Sequence, residues 1–191
     1  MQNDTDRNSY CSKLCLTVKG AWVRRKSFLM LCGVLFCSAI FFSDVGHGEP
    51  EKVITPDVRC SICGMFVAKY EDWIVQVRLT NNSVMYFDGV KDMMVFYFNT
   101  KQYSEFEQKD VREIWVKDYY TLQWLNGNSA FYVVGSDVYG PMGKEFIAFE
   151  SRGAAENFLK DHKGTKILTF AEITDNLVQS MRTTKMRHGN K

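Results

Sequence analysis

The stretch Trp73-Ile74-Val75-Gln76-Val77-Arg78-Leu79-Thr80-Asn81-Asn82-Ser83-Val84-Met85-Tyr86-Phe87-Asp88 holds two runs rich in β-branched and aromatic residues around a polar turn signal. It reads as a β-hairpin, because strands favour those side chains and Asn accepts the backbone of a tight turn. Asp88 then stands where a helix N-cap belongs, and Val90, Met93, Met94, Phe96 and Tyr97 recur at helical spacing. Polar residues from Asn99 to Asp110 separate this helix from a further strand, Val111 to Val116.

The second half repeats that order. Strands are expected at Ala130 to Val134 and Phe146 to Phe149, a helix at Ala154 to His162, and a strand at Lys166 to Phe170. Phe87-Asp88 matches Phe149-Glu150, and each Phe is followed nine residues later by another, Phe96 or Phe158. The expected fold class is α+β: two duplicated ββαβ units packed together, after an N-terminal signal or anchor helix. One small sheet with one helix buries too little alone, so the units should pack on each other. The boundaries are 1–48 for the export signal or membrane anchor, 49–58 for a linker, 59–117 and 118–175 for the units, and 176–191 for a tail, helical at first.

Towards the N-terminus, Arg24-Arg25-Lys26 precede sixteen mostly apolar residues, Ser27 to Phe42, and then small and polar Ser43 to Gly48. Positive, apolar, small is the order of a secretory signal. The apolar run is short of the roughly 20 residues that span a membrane comfortably, so cleavage near Gly46 to Gly48 is expected, with an uncleaved anchor as the rival. Cys32 follows Leu31 and Cys37 follows Phe36, which are poor contexts for lipidation. The location is periplasmic or otherwise extracytoplasmic, with membrane contact through the N-terminal segment if it is retained. Glu49 to Val58, with Pro50 and Pro56, reads as a polar extended linker.

The formal net charge of +2 is unevenly placed: residues 1–48 carry six basic and three acidic side chains, the remainder eighteen and nineteen. A near-neutral globular part argues against nucleic acid as a partner. Phosphate loops, nucleophilic triads and dinucleotide motifs are absent from the sequence, so no catalytic residues are assigned and an enzyme is not expected.

Export would leave Cys60 and Cys63 as the only thiols of the mature chain. They lie in Cys60-Ser61-Ile62-Cys63-Gly64-Met65, where C-x-x-C by itself serves either an ion or a disulfide. Gly64 allows a turn with positive φ that could bring the Met65 thioether back toward Cys63. Thiolate with thioether is a soft donor set that suits Cu(I). Spacing alone leaves that reading level with a structural disulfide beside a core methionine. In the second half, Gly135-Ser136-Asp137-Val138-Tyr139-Gly140-Pro141-Met142-Gly143 is a defined loop that presents Met142, either toward the first-half site or as the apolar edge of a turn. His162 reads as a helix C-terminal partner rather than a ligand, and Asp88 and Glu150 read as helix caps or dipole partners.

Cys60-Ser61-Ile62-Cys63-Gly64-Met65-Phe66-Val67, Tyr86-Phe87-Asp88-Gly89, Val116-Lys117-Asp118-Tyr119 and the loop Gly135-Ser136 to Gly140-Pro141-Met142-Gly143, in that order, together resemble the NosL family. The likeness covers roughly Asp57 to Ile173. It implies an exported Cu(I)-binding metallochaperone that serves maturation of nitrous-oxide reductase. The implied partners are the apo enzyme or its ABC-type copper-transfer complex. The implied metal ligands are Cys63 and Met65, then Cys60, then Met142. The rival from another class is a thiol-disulfide oxidoreductase using Cys60 and Cys63, which would place the motif at a helix N-terminus. Here the motif precedes a hairpin.

Overall fold

The computed structural model describes residues 48–188, with side chains described through Arg182. The expected export signal or anchor lies outside the described residues. Among the described residues no helix is long and apolar enough to cross a membrane.

The hairpin forms as its residues predict. Strand β1 (Val75–Leu79) pairs antiparallel with β2 (Val84–Phe87), with Val75 opposite Phe87. At the turn Asn82 takes φ 67° and the Asn81 side-chain oxygen accepts the Ser83 N–H at 2.9 Å. Strand β3 (Val111–Lys117) lies on the other side of β1 and β4 (Trp124–Asn126) extends the sheet, giving the order β2-β1-β3-β4. The segment that follows β3 therefore supplies an edge strand of its own. In the second sheet β5 (Phe131–Val134) lies between β8 (Ile147–Phe149) and β9 (Lys166–Thr169). The loop after β5 forms a small ribbon, β6 (Tyr139–Gly140) with β7 (Gly143–Lys144). In both sheets the central strand pairs antiparallel with the next strand of its sheet and with the strand that follows the helix.

Helix α1 (Val90–Phe98) follows β2, the short α2 (Thr100–Tyr103) follows α1, α3 (Arg152–Asp161) follows β8, and α4 (Asp175–His188) ends the described chain. Every residue of α1 from Val90 to Phe96 is buried, Lys91 and Asp92 included. α1 is covered partly by α4, whose Val178 and Met181 belong to the same core as Phe87, Phe96, Tyr132 and Phe146. The tail expected from 176 thus begins as a packed helix. The Phe87 and Phe96 rings sit 5.3 Å apart, and burying a side chain of that size stabilises the fold by about 1.5–3 kcal/mol. Helix α3 buries only Ala155 and Phe158, against a smaller cluster with Val133, Ile147 and Phe149.

The segment expected as a linker is docked along the first sheet. Gln76 is 1% exposed, and a carboxamide buried so deeply needs partners. It finds them in the Glu51 backbone, accepting its N–H and donating to its carbonyl, each at 2.8 Å. Arg78 donates to the Glu49 carbonyl at 2.9 Å and pairs with Glu113 at 3.1 Å, while the Gly48 N–H reaches Glu113 at 2.7 Å. Although burial pushes the Glu113 carboxyl up, the Gly48, Trp115 and Arg78 contacts hold it below its usual range. The Tyr86 hydroxyl donates to the Glu51 carboxylate.

Candidate metal centre

The loop Cys60 to Met65 closes on itself. Gly64 takes φ 75°, the left-handed conformation that glycine adopts without strain. The Gly64 N–H donates to the Cys60 carbonyl at 3.0 Å and the Cys60 N–H to the Met65 carbonyl at 2.8 Å. On either side, Arg59 and Phe66 form an isolated antiparallel bridge, with the Arg59 guanidinium 3.8 Å from the Phe66 ring centroid. The Ser61 N–H donates to the Tyr86 carbonyl at 2.9 Å, which holds the loop at the end of β2, where Asp88 begins the turn into α1.

This docking brings four ligand-type side chains together: one donor atom from each of Cys60, Cys63, Asp88 and Asp92 lies within 4.8 Å of the others. The Cys63 thiol donates to Asp88 Oδ2 at 3.3 Å and the Cys60 thiol to Asp92 Oδ2 at 3.6 Å. Asp88 Oδ1 is buried with no hydrogen-bond partner. A buried carboxylate oxygen left unpaired costs free energy, so its position next to two sulfurs fits a cation as the missing partner.

Both thiols are held protonated. Burial, with the Asp88 charge adding to it, pushes the Cys63 thiol up to about 11. Burial drives the Cys60 thiol higher still. Asp92 is also raised, by burial first and then by the Asp88 charge. A cation entering here would reverse that balance by displacing the thiol protons.

Of the residues expected to act as ligands, the structure brings Cys60 and Cys63 together. Met65 is half-buried at the end of the same loop. Met142, half-buried in the β6–β7 turn, is tied to the site helix through its carbonyl, which accepts from Lys91 Nζ at 2.7 Å. Asp88 and Asp92 were not expected in this role. Asp88, expected as a helix cap or dipole partner, does not cap: Gly89 occupies the N-cap position and Asp88 turns toward Cys63 instead. Glu150 is likewise no cap: it is exposed, and Ser151 caps α3 by accepting the Ala154 N–H at 3.2 Å. The signal for the acidic pair was its spacing of four residues across a helix start, which puts both carboxylates on one face. His162 stacks on Phe158 with ring centroids 4.4 Å apart and meets Asp137 at 3.2 Å, away from this cluster of four.

Fold and site define an α+β protein whose paired thiols and acidic helix start converge on a centre that could hold a metal ion. The chain belongs to the NosL family, whose family model matches residues 51–178. It is 25% identical over 166 residues to the copper-binding lipoprotein NosL of Achromobacter cycloclastes, covering 81% of this chain and 83% of that protein. Its fold is similar to that of the copper chaperone NosL from Shewanella denitrificans, with a TM-score of 0.60, 23% identity, and coverage of 68% of this chain and 99% of that one.

Proposed function

We propose that this protein is an extracytoplasmic Cu(I) metallochaperone that supplies copper for maturation of nitrous-oxide reductase, handing it to the apo enzyme or to an ABC-type copper-transfer complex. The observation that carries the reading is the pair of thiols facing Asp88 and Asp92 at a loop that the chain pins to β2. Cys63 and Met65 are the primary ligands, with Cys60 and Met142 completing the set. Soft sulfur donors favour Cu(I), and the half-buried Cys63 leaves a side from which a partner's thiolate or imidazole can attach before the first ligand leaves. The entering copper displaces the thiol protons that Asp88 and Asp92 now accept, and the two carboxylates face the incoming positive charge. The N-terminal segment, cleaved or retained, accounts for export. The repeated strand, strand, helix, strand order is read as an internal duplication, in which only the first unit kept the metal-binding loop. Units 59–117 and 118–175 are the boundaries of that duplication.

The raised thiols speak for cargo binding over disulfide exchange, since a nucleophilic cysteine needs a lowered pKa and here burial pushes both upward. Two thiols with two carboxylates would also satisfy Zn(II) in number, so metal selectivity is the decisive test. The reduced full-length protein is titrated with Cu(I) against a competing chelator, with Zn(II) as challenger, and the loaded protein is then mixed with apo nitrous-oxide reductase. One tight Cu(I) equivalent that Zn(II) does not displace, followed by transfer to the enzyme, is the expected outcome. Weak Cu(I) binding, together with a Cys60–Cys63 couple that exchanges readily with other disulfides, would support the oxidoreductase reading instead.

A further inference from the structure

Lys91 is 3% exposed, an unusual place for an ammonium group, and lies immediately before Asp92 on the helix that faces the thiols. Its Nζ donates to the Met142 carbonyl and to the Lys144 carbonyl, each at 2.7 Å, so one buried cation grips both sides of the β6–β7 turn. Its backbone N–H donates to Glu145 Oε1 at 2.5 Å, and the same oxygen accepts the Phe146 N–H at 2.9 Å. Glu145, also 3% exposed, thereby caps the start of α1 in place of a side chain on Gly89. A Cβ on Gly89 would collide with that carboxylate, and one on Gly140 would stand 3.1 Å from Glu145 Cγ. The helix start and the turn are therefore fitted to each other through Glu145 and locked by Lys91. Gly143, at φ 91°, completes the tight turn.

We infer that Lys91 is a positioning residue for Met142, fixing the backbone of the β6–β7 turn so that the Met142 thioether is presented to the Cu(I) held by the Cys60–Cys63 loop. The inference rests on the copper reading above. Helix α1 supplies Asp92, which accepts from the Cys60 thiol, and beside it the Lys91 ammonium that holds the methionine turn, so the start of one helix meets both the thiol loop and that turn. Charge-assisted hydrogen bonds to two carbonyls, shielded from water, are well suited to holding a backbone in place.

A double-mutant cycle on the full-length protein tests this, with Cu(I) affinity read by chelator competition and the Met142 methyl signal followed by NMR in the apo state. Lys91→Leu is expected to weaken Cu(I) binding by about 10–100-fold, the range typical of residues that orient a metal's ligands. It should also shift the Met142 methyl signal. In a Met142→Leu background, Lys91→Leu should cause no further loss. Additive losses, an unmoved methyl signal, or full affinity in Lys91→Leu each overturn the inference. If Lys91→Leu does not fold, Lys91→Gln replaces it and should give a smaller loss with the same masking by Met142→Leu, and additivity there overturns the inference equally. Failure of the copper reading looks different: wild type and Cys63→Ser would bind Cu(I) equally weakly, and the positioning role would fall with it.

Discussion

Helices α1 and α3 occupy equivalent places in the two sheets, yet they are built on opposite plans. Helix α3 is an ordinary surface helix, capped by its own Ser151 and anchored by Ala155 and Phe158. Helix α1 is buried from Val90 to Phe96, carries no side-chain cap of its own, and takes its capping carboxylate from Glu145 of the distant β7–β8 connection. Freed from capping, Asp88 faces Cys63 with one oxygen unpaired. The contrast lies in what holds each helix start: α3 is capped by its own Ser151, whereas α1 is held by Glu145 and leaves Asp88 turned toward Cys63.

Glycine substitution at the two helix starts should break this comparison most visibly. Gly89→Ala drives a Cβ into the Glu145 carboxylate and should cost about 2–3 kcal/mol of stability, whereas Gly153→Ala meets nothing within 4 Å and should add about 0.5–1 kcal/mol. Urea unfolding of the two variants measures both signs, and equal effects would dissolve the contrast. The caps come next. Ser151→Ala should cost about 1 kcal/mol through the lost Ala154 hydrogen bond, and Asp88→Asn should cost no cap at all. Asp88→Asn should instead lower the Cys63 thiol from about 11, because a neighbouring negative charge is removed, while Glu150→Gln leaves that thiol unchanged. The pH profile of Cys63 alkylation reads this shift.

The pH dependence is the gentlest probe. Cys63 is raised from 9.0 to about 11 in the folded protein, so the protonated thiol stabilises the fold. Its contribution is complete below pH 9.0 and is lost as the pH rises through about 11, a loss that Cys63→Ser should remove from a stability–pH curve. In the same way, each thiol that binds Cu(I) must first release its proton. Near pH 7–8 the logarithm of the affinity should therefore rise by about 2 per pH unit if Cys60 and Cys63 both ligate, and by about 1 if Cys63 acts alone.

The hairpin, both main helices and the strand order around them were legible because they rest on local signals: Asn81-Asn82 at a turn, helical apolar spacing from Val90 to Tyr97, and Gly64 after a cysteine. The approach of Cys60 and Cys63 in the candidate centre was legible for the same reason. The carboxylate pair was not, because Asp88 before a helix looks like a cap in any sequence, and only the contact of Glu145 with the Lys91 N–H, 54 residues apart in the chain, relieves it of that task. Lys91 and Gln76 were equally hidden. A polar side chain in an apolar run reads as a solvated position, and only the fold reveals that Lys91 meets two carbonyls and Gln76 meets the docked Glu51 backbone.

The most direct measurement is X-ray absorption at the copper edge of the Cu(I)-loaded protein, compared with its Cys63→Ser and Met65→Leu variants. A sulfur-dominated coordination shell is expected in the wild type, with a sulfur contribution lost in each variant. A shell made of oxygen or nitrogen donors, or one unchanged by both substitutions, would contradict the assignment of the Cys60 to Met65 loop as the copper centre.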